Sequence, residues 1–467
     1  MRPPLKDHQR EDIAWIQKAR RGLLANEPGV GKSRSAIEAT AGMRTLIVAP
    51  NLVLNGGNWD DELARWADEP GMYAQASYSS LNQRQKTEQG GTRPVNRLRE
   101  EWQERFDAVI IDEAHYVKGR KTSWTWAVQK IAATADLVIP MTGTPIPNWA
   151  HELFTLLQLI YPEDAGRGGV YGSFWRWAEQ WFDTTPTRFS NGNPVVGELK
   201  GCMLANRGGL ECLERPADNP CEHYHRFTRE NLGNQYRRVL RKDCLDLPEL
   251  TEQVVKVPMS AGQKKIYRGL RDDFNATISG TEVVAWSQGA KNVLLDKCTT
   301  SPWLLAPEGE PRGGKLDLLR FDLESRQVPT LVLAHYRDSV RACARVAELA
   351  GHRAGYISGE TSSKSDAAAI RDFKAGRLPV LVGSLETLAE GLTLTAADMA
   401  IFVEMSYKPS RNVQARYRVH RMGQTRPVTV LEYVTPGTVD ERKRRLLATK
   451  TDRQMRTLTA AQFADLI

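Results

Sequence analysis

The sequence predicts an α/β protein of two tandem domains with parallel sheets, separated by a helical insertion. Three observations carry this. Short apolar runs of the kind buried on both faces of a parallel sheet recur in both halves, as at 45–50 and 428–433. Helix-length amphipathic stretches separate them, the alternation that builds an open, doubly wound sheet. In the first half, residues 23–33 open a glycine-bearing turn into a helix, the arrangement that holds phosphates.

At 467 residues, 41% hydrophobic and 26% charged, the chain has the composition of an ordered protein of two or three domains. Its 64 Lys+Arg exceed 56 Asp+Glu, and the resulting charge of +8 modestly favours a polyanionic partner. No apolar run reaches the roughly 18 residues of a membrane span, and Met1-Arg2-Pro3-Pro4 begins no signal peptide. The expectation is a cytoplasmic, intracellular protein without a membrane partner. The 6 cysteines do not read as a disulfide framework in so long a chain, so reduced thiols are expected.

The chain enters through residues 5–9 into an amphipathic helix. Gln9 is placed either to read an adenine edge with its amide or simply to start that helix. The phosphate loop follows. Gly31-Lys32-Ser33 ends the G-x-x-x-x-G-K-[ST] pattern, in which backbone N–H groups hold phosphates, the lysine reaches the β/γ-phosphates and the hydroxyl ligates Mg²⁺. Asn26 stands where the first glycine belongs, while Gly29 and Gly31 leave the backbone free to approach a phosphate. A helix over 34–41 and a strand over 45–50 continue the alternation.

The run 108–111 ends in Asp112-Glu113-Ala114-His115. Adjacent carboxylates at a strand end suit one for the Mg²⁺ shell and the other for activating a water against the γ-phosphate. A further strand, 137–141, runs into the hydroxyl-rich turn Thr142-Gly143-Thr144-Pro145. From 149 to 311 the pattern reads as helical and irregular. Phe174, Trp177, Ala178 and Trp181 form one apolar helix face, better suited to core than to base stacking. The pairs Arg237-Arg238 and Arg241-Lys242 read equally as phosphate contacts or a solvated face. Cys202, Cys212, Cys221 and His223 supply zinc-type donors, but no C-x₂₋₄-C pair is present, so unligated residues in a loop-rich insertion are expected.

A second alternation begins after Gly313-Gly314-Lys315, with strands over 328–333, 353–357, 380–382, 399–403 and 428–433. It carries no second phosphate loop. Arg418 and Arg421 lie one helical turn apart and so face the same way, as two cations able to stabilise charge on a γ-phosphate. A charged helix over 439–450 and a short polar tail close the chain.

The order of these parts resembles the superfamily-2 helicases, and among them the Snf-like DNA-translocating ATPases. Residues 5–9 look like the adenine-reading motif, 24–33 the Walker A segment and 112–115 the DEAH box. The stretches 48–50 and 77–81 look like DNA-contacting motifs, 142–145 the motif that couples hydrolysis to DNA, and 413–424 the arginine-finger motif. The resemblance implies two RecA-like lobes using ATP and Mg²⁺ on DNA. Gln9, Gly29, Gly31, Lys32 and Ser33 would bind nucleotide, and Ser33 and Asp112 would serve the Mg²⁺, partly through water. Glu113 would activate the attacking water, Arg418 and Arg421 would act as fingers, and Pro50, Ser77, Tyr78, Thr144 and Ser384 would meet DNA. The implied domains are 1–250 with a helical insertion from about 150, a helical linker over 251–312, a second lobe over 313–437 and a tail over 438–467. Residues 333–336, 359–363 and 390–398 look more like annealing, fork-remodelling and compact bacterial or phage members than nucleosome remodellers. Thr387-Leu388-Ala389 departs from the Ala-Gly-Gly of many relatives. That departure keeps open an ATP-gated DNA-binding scaffold, while a strand-splitting wedge in the irregular middle would make the chain a strand-separating helicase instead of a duplex translocase.

Overall fold

The computed structural model describes residues 2–462, apart from 56, 88–90, 147–149, 166–168, 186–194, 201–221, 359–360, 362 and 389–392. The chain divides into two compact units, residues 1–245 with 450–467, and residues 246–449.

Six strands form the sheet of the first unit: β1 (Leu23–Leu24), β2 (Thr45–Ala49), β3 (Tyr73–Ser77), β4 (Ala108–Asp112), β5 (Leu137–Met141) and β6 (Tyr236–Arg237). Their order across the sheet is β6-β1-β5-β4-β2-β3, and every pairing is parallel. Consecutive side chains on a strand point to opposite faces. Leu46, Val48, Val109 and Ile111 therefore enter one core, and Ile47, Ala108, Ile110 and Ile139 the other. Burial on both faces explains why these strands are unbroken apolar runs.

The second unit repeats the architecture with β7 (Leu250–Lys256), β8 (Thr330–Ala334), β9 (Ala354–Ile357), β10 (Val380–Ser384), β11 (Met399–Phe402) and β12 (Val428–Val434). Their order is β7-β12-β11-β8-β10-β9, again parallel throughout. Two tandem RecA-like α/β domains with parallel sheets, joined by helical insertions, are thus the fold, as the sequence predicts.

The stretch read as helical and irregular is more ordered than its pattern. It supplies β6, which completes the first sheet, and β7, which pairs along its whole length with β12 from Leu250↔Val428 to Lys256↔Val434. Both are edge strands, and the side chains of β7 are mostly exposed, so neither shows the apolar run by which buried strands are recognised. The aromatic face over 174–181 is core. Trp177 packs on Phe154, Phe182 and Phe227, and its indole N–H donates to Asn231 Oδ1 at 2.7 Å.

Candidate active site

β1, β5 and β4 are neighbours, and the loops leaving their C-terminal ends carry the phosphate loop, the Thr142–Thr144 turn and the acidic pair. Open parallel sheets gather ligand-binding groups at that edge. In the loop, Gly29 and Gly31 adopt φ of 88° and 92°, left-handed values that side-chain-bearing residues seldom take. Lys32 opens the helix Lys32–Ala39, and its ammonium donates to the Asn26 and Glu27 carbonyls at 2.8 and 3.1 Å, inside the cradle. Gly143 lies so close to the loop that a Cβ there would fall 2.6 Å from Pro28 Cγ. That contact packs the turn after β5 directly against the phosphate loop.

Asn26, at the missing glycine, is a fully buried clamp. Its Nδ2 donates to Asp12 Oδ2 at 2.7 Å, and its Oδ1 accepts from the Val239 N–H at 2.8 Å. Asp12 also accepts from Ser35 Oγ at 3.2 Å and from Arg237 Nε at 2.6 Å. Arg238 donates to the Ala25 carbonyl at 3.1 Å, and the Arg241 N–H to Glu27 Oε2 at 2.9 Å. Arg237 and Arg238 of the basic cluster thus fasten β6 to the loop through their side chains, Arg241 joins them through its backbone N–H, and Lys242 is exposed.

At the end of β4 the Asp112 carboxylate accepts the Trp59 indole N–H at 3.1 Å and the Glu113 N–H at 3.0 Å. Burial and the neighbouring Glu113 charge push its carboxyl up to about 6, with Trp59 and the Lys32 ammonium opposing. Glu113 sits at φ 50°, an uncommon left-handed value for a non-glycine residue. Its Oε2 accepts from the Thr142 hydroxyl at 3.4 Å and lies 3.3 Å from His115 Nδ1, which is itself 3.0 Å from Thr142 Oγ1. A carboxylate held by an imidazole and a hydroxyl is oriented as a proton acceptor must be.

The other expected site residues take varied positions. Gln9 is buried, its Oε1 accepting from the Lys6 N–H at 3.1 Å and its Nε2 donating to the Gly31 carbonyl at 3.4 Å, so it folds onto the loop. Tyr78, read as a DNA contact, is buried; its hydroxyl donates to the Asp112 carbonyl at 2.7 Å and its ring stacks on Tyr116. Ser77 is buried beside it, and Pro50 is buried at the head of the helix Asn51–Asn55. Ser384 is buried, its Oγ accepting from the Thr387 N–H at 3.1 Å as a local cap. The Thr144 N–H donates to Thr142 Oγ1 at 3.1 Å, closing the turn.

Arg418 and Arg421 do not share a helix face. The helix Pro409–Val419 ends between them, His420 leaves helical geometry with its Nε2 2.8 Å from the Pro248 carbonyl, and Gly423 turns the chain at φ 97°. Arg418 is buried within the helix and Arg421 follows its end. Cys202, Cys212 and Cys221 lie outside the described residues, and His223 is exposed on the helix Glu222–Asn231.

The donors at this site fit a hard divalent cation and a polyphosphate. Ser33 and Asp112 offer oxygen, which suits Mg²⁺, and the desolvated charge of the Asp112–Glu113 pair favours a bound cation. Sequence reasoning missed Trp59, Asp12 and Arg237 as supports of the site. One signal was visible: a polar residue, Asn26, in the middle of a buried loop.

Comparison with known proteins places this geometry. The chain is 25% identical over 98% of its length to the SWI/SNF chromatin-remodeling complex subunit snf22 of Schizosaccharomyces pombe, of which it spans 28%. It is 25% identical over 94% of its length to the ATP-dependent helicase brm of Drosophila melanogaster, again spanning 28% of that protein. It is equally 25% identical over 94% of its length to the human SWI/SNF-related matrix-associated actin-dependent regulator of chromatin subfamily A member 1, and spans 42% of it. These whole-length matches overturn the expected leaning towards annealing and compact bacterial or phage members. That leaning rested on short loop segments, whereas matching along the chain weighs the entire core. The model of the helicase conserved C-terminal domain matches residues 314–423, the stretch that bears Arg418 and Arg421. The model of the SNF2-related domain matches residues 8–294, from the helix before the phosphate loop into the helix Gln288–Thr300, and the chain belongs to that SNF2-related family.

Proposed function

We propose that the chain is an ATP-dependent motor acting on DNA, a translocase of the Snf type. The observation that supports this most directly is the single packed edge made by the phosphate loop, the Asp112–Glu113 pair and the Thr142–Thr144 turn. Nucleotide binding and water activation share that edge with the motif that the family resemblance ties to DNA. Lys32 and the N–H groups at the head of its helix bind the phosphates. Ser33 and Asp112 hold Mg²⁺, which when bound shields phosphate charge and polarises the bond to be broken. Glu113 accepts the proton of the attacking water, and His115 and Thr142 hold its carboxylate in place. Arg418 and Arg421 are proposed as the cations that stabilise charge on the γ-phosphate. A motor that grips phosphates needs no base readout to step along DNA.

The test is ATP turnover with and without duplex DNA. Wild type is expected to be stimulated by duplex, and Lys32→Ala and Glu113→Gln to lose at least a hundredfold in turnover. Lys32→Ala also loses nucleotide binding, whereas Glu113→Gln retains it. Wild-type-like turnover in either variant would remove the assignment.

A further inference from the structure

One aromatic side chain stands apart from everything described so far. Among the described residues, Trp286 is 87% exposed, whereas the next most exposed large apolar side chain, Phe321, is 64% exposed. It follows an antiparallel hairpin, Asn275–Ile278 paired with Thr281–Val284, closed by Ser279 and Gly280 at φ 47° and 82°. A two-residue turn with both φ positive is the tight closure that matches strand twist.

The exposure is built rather than incidental. The Ala285 N–H donates to the Phe274 carbonyl at 2.7 Å, and Ala285 is 5% exposed, which fixes the chain immediately before Trp286. Immediately after it, Ser287 caps the helix Gln288–Thr300 by accepting the Ala290 N–H at 3.1 Å. Phe274 holds φ 60°, which bulky residues avoid, and keeps its ring at the surface under the Lys291 ammonium, 3.8 Å from the ring centroid. A backbone anchored on both sides of the indole presents the ring from a fixed point of the chain, which lowers the ordering cost of binding a flat partner.

The surroundings indicate the partner. On the helix Ala261–Asp272, which packs against the hairpin, Lys264, Arg268 and Arg271 are exposed and spaced i, i+4, i+7, so they form one stripe. The Lys291 ammonium donates to the Arg271 carbonyl at 3.3 Å, which carries the stripe to Phe274. Arg271 and Asp272 offset each other, since Arg271 Nε and Nη2 both donate to that carboxylate, which leaves Lys264, Arg268 and Lys291 against Asp273 and Glu282. Cations leading to a projecting aromatic ring suit a strand whose phosphates follow the stripe while a base stacks on the ring.

We propose that Trp286 and the hairpin behind it receive an unpaired base of DNA, at a single strand or a fork. This rests on the motor reading above and names the part of the DNA that the second unit meets. The probes are an oligo(dT) strand, a forked duplex and a blunt duplex, titrated against the full chain. Trp286→Ala is expected to weaken binding of the oligo(dT) and the fork roughly tenfold, with Trp286→Phe retaining most of it. Blunt-duplex affinity and duplex-stimulated ATP turnover should stay at wild-type values. Equal binding of oligo(dT) and fork by wild type and Trp286→Ala overturns the proposal. So does an equal loss on blunt duplex, and so does a changed sedimentation coefficient with unchanged DNA binding, which would make the ring a contact between copies of the chain. If wild type binds none of the three DNAs, the motor reading itself falls.

Discussion

Trp59 lies far from Asp112 in sequence, yet its indole N–H meets the one carboxylate expected to serve the metal, at 3.1 Å. Because burial already presses that carboxyl towards its neutral form, a donor to the charged form keeps it able to bind a cation. A hydrogen bond to a charged group contributes about 1.5–3 kcal/mol. Trp59→Phe keeps an aromatic ring at a position that is 2% exposed and removes the donor, at the cost of a small cavity. The expected outcome is a Mg²⁺ requirement for half-maximal ATP turnover raised about tenfold, with nucleotide affinity in the absence of metal unchanged. An unchanged Mg²⁺ requirement would show that the indole serves packing alone. At this scale the residues proposed for the chemistry were visible, since Lys32, Ser33, Asp112 and Glu113 sit in recognisable patterns. Their supports were not, because Asp12 and Arg237 meet through a separation of 225 residues.

Among the elements, the helix Val439–Gln462 is fastened at its first turn by a buried ion pair. Asp440 Oδ2 lies 2.7 Å from Lys315 Nζ, and the Thr435 N–H donates to the same carboxylate at 2.9 Å. Lys315 is 1% exposed and also donates to the Val403 carbonyl at 3.0 Å. Burial by itself would raise the Asp440 carboxyl, but the Lys315 ammonium, the Thr435 N–H and the Lys443 charge outweigh it and hold it below its ordinary value. A depressed folded-state value stabilises the fold above the unfolded value and loses that contribution as pH falls through the folded one. Asp440→Asn should therefore cost about 3–5 kcal/mol at neutral pH, as expected for breaking a buried pair. The gap from wild type should close as pH falls below the ordinary carboxylate value of 3.8. Urea unfolding of both proteins across pH measures this, and a gap independent of pH would exclude the ion pair as its source. The element scale also shows where sequence patterns lose their information. The buried strands β2, β4, β5, β8 and β11 follow from apolar runs, whereas edge strands β6 and β7 bury too little to leave such a run.

For the molecule as a whole, the excess of +8 predicts binding governed by phosphate contacts. Affinity for blunt duplex should fall at least tenfold between about 50 and 200 mM salt, because each neutralised phosphate releases condensed counterion. A flat salt dependence, measured by anisotropy, would exclude a backbone-tracking motor. The sequence by itself determined the two-domain parallel α/β plan, the phosphate loop and the acidic pair, since each is written in residues adjacent along the chain. Tertiary structure decided what surrounds them. Asn26 became a clamp and Tyr78 a buried support, and Arg418 and Arg421 were divided by the end of a helix. Trp286 was left standing in solvent beside a basic stripe. The physical reason is that local periodicity reports which face of an element is buried, while partners across the fold are fixed only when distant segments pack together.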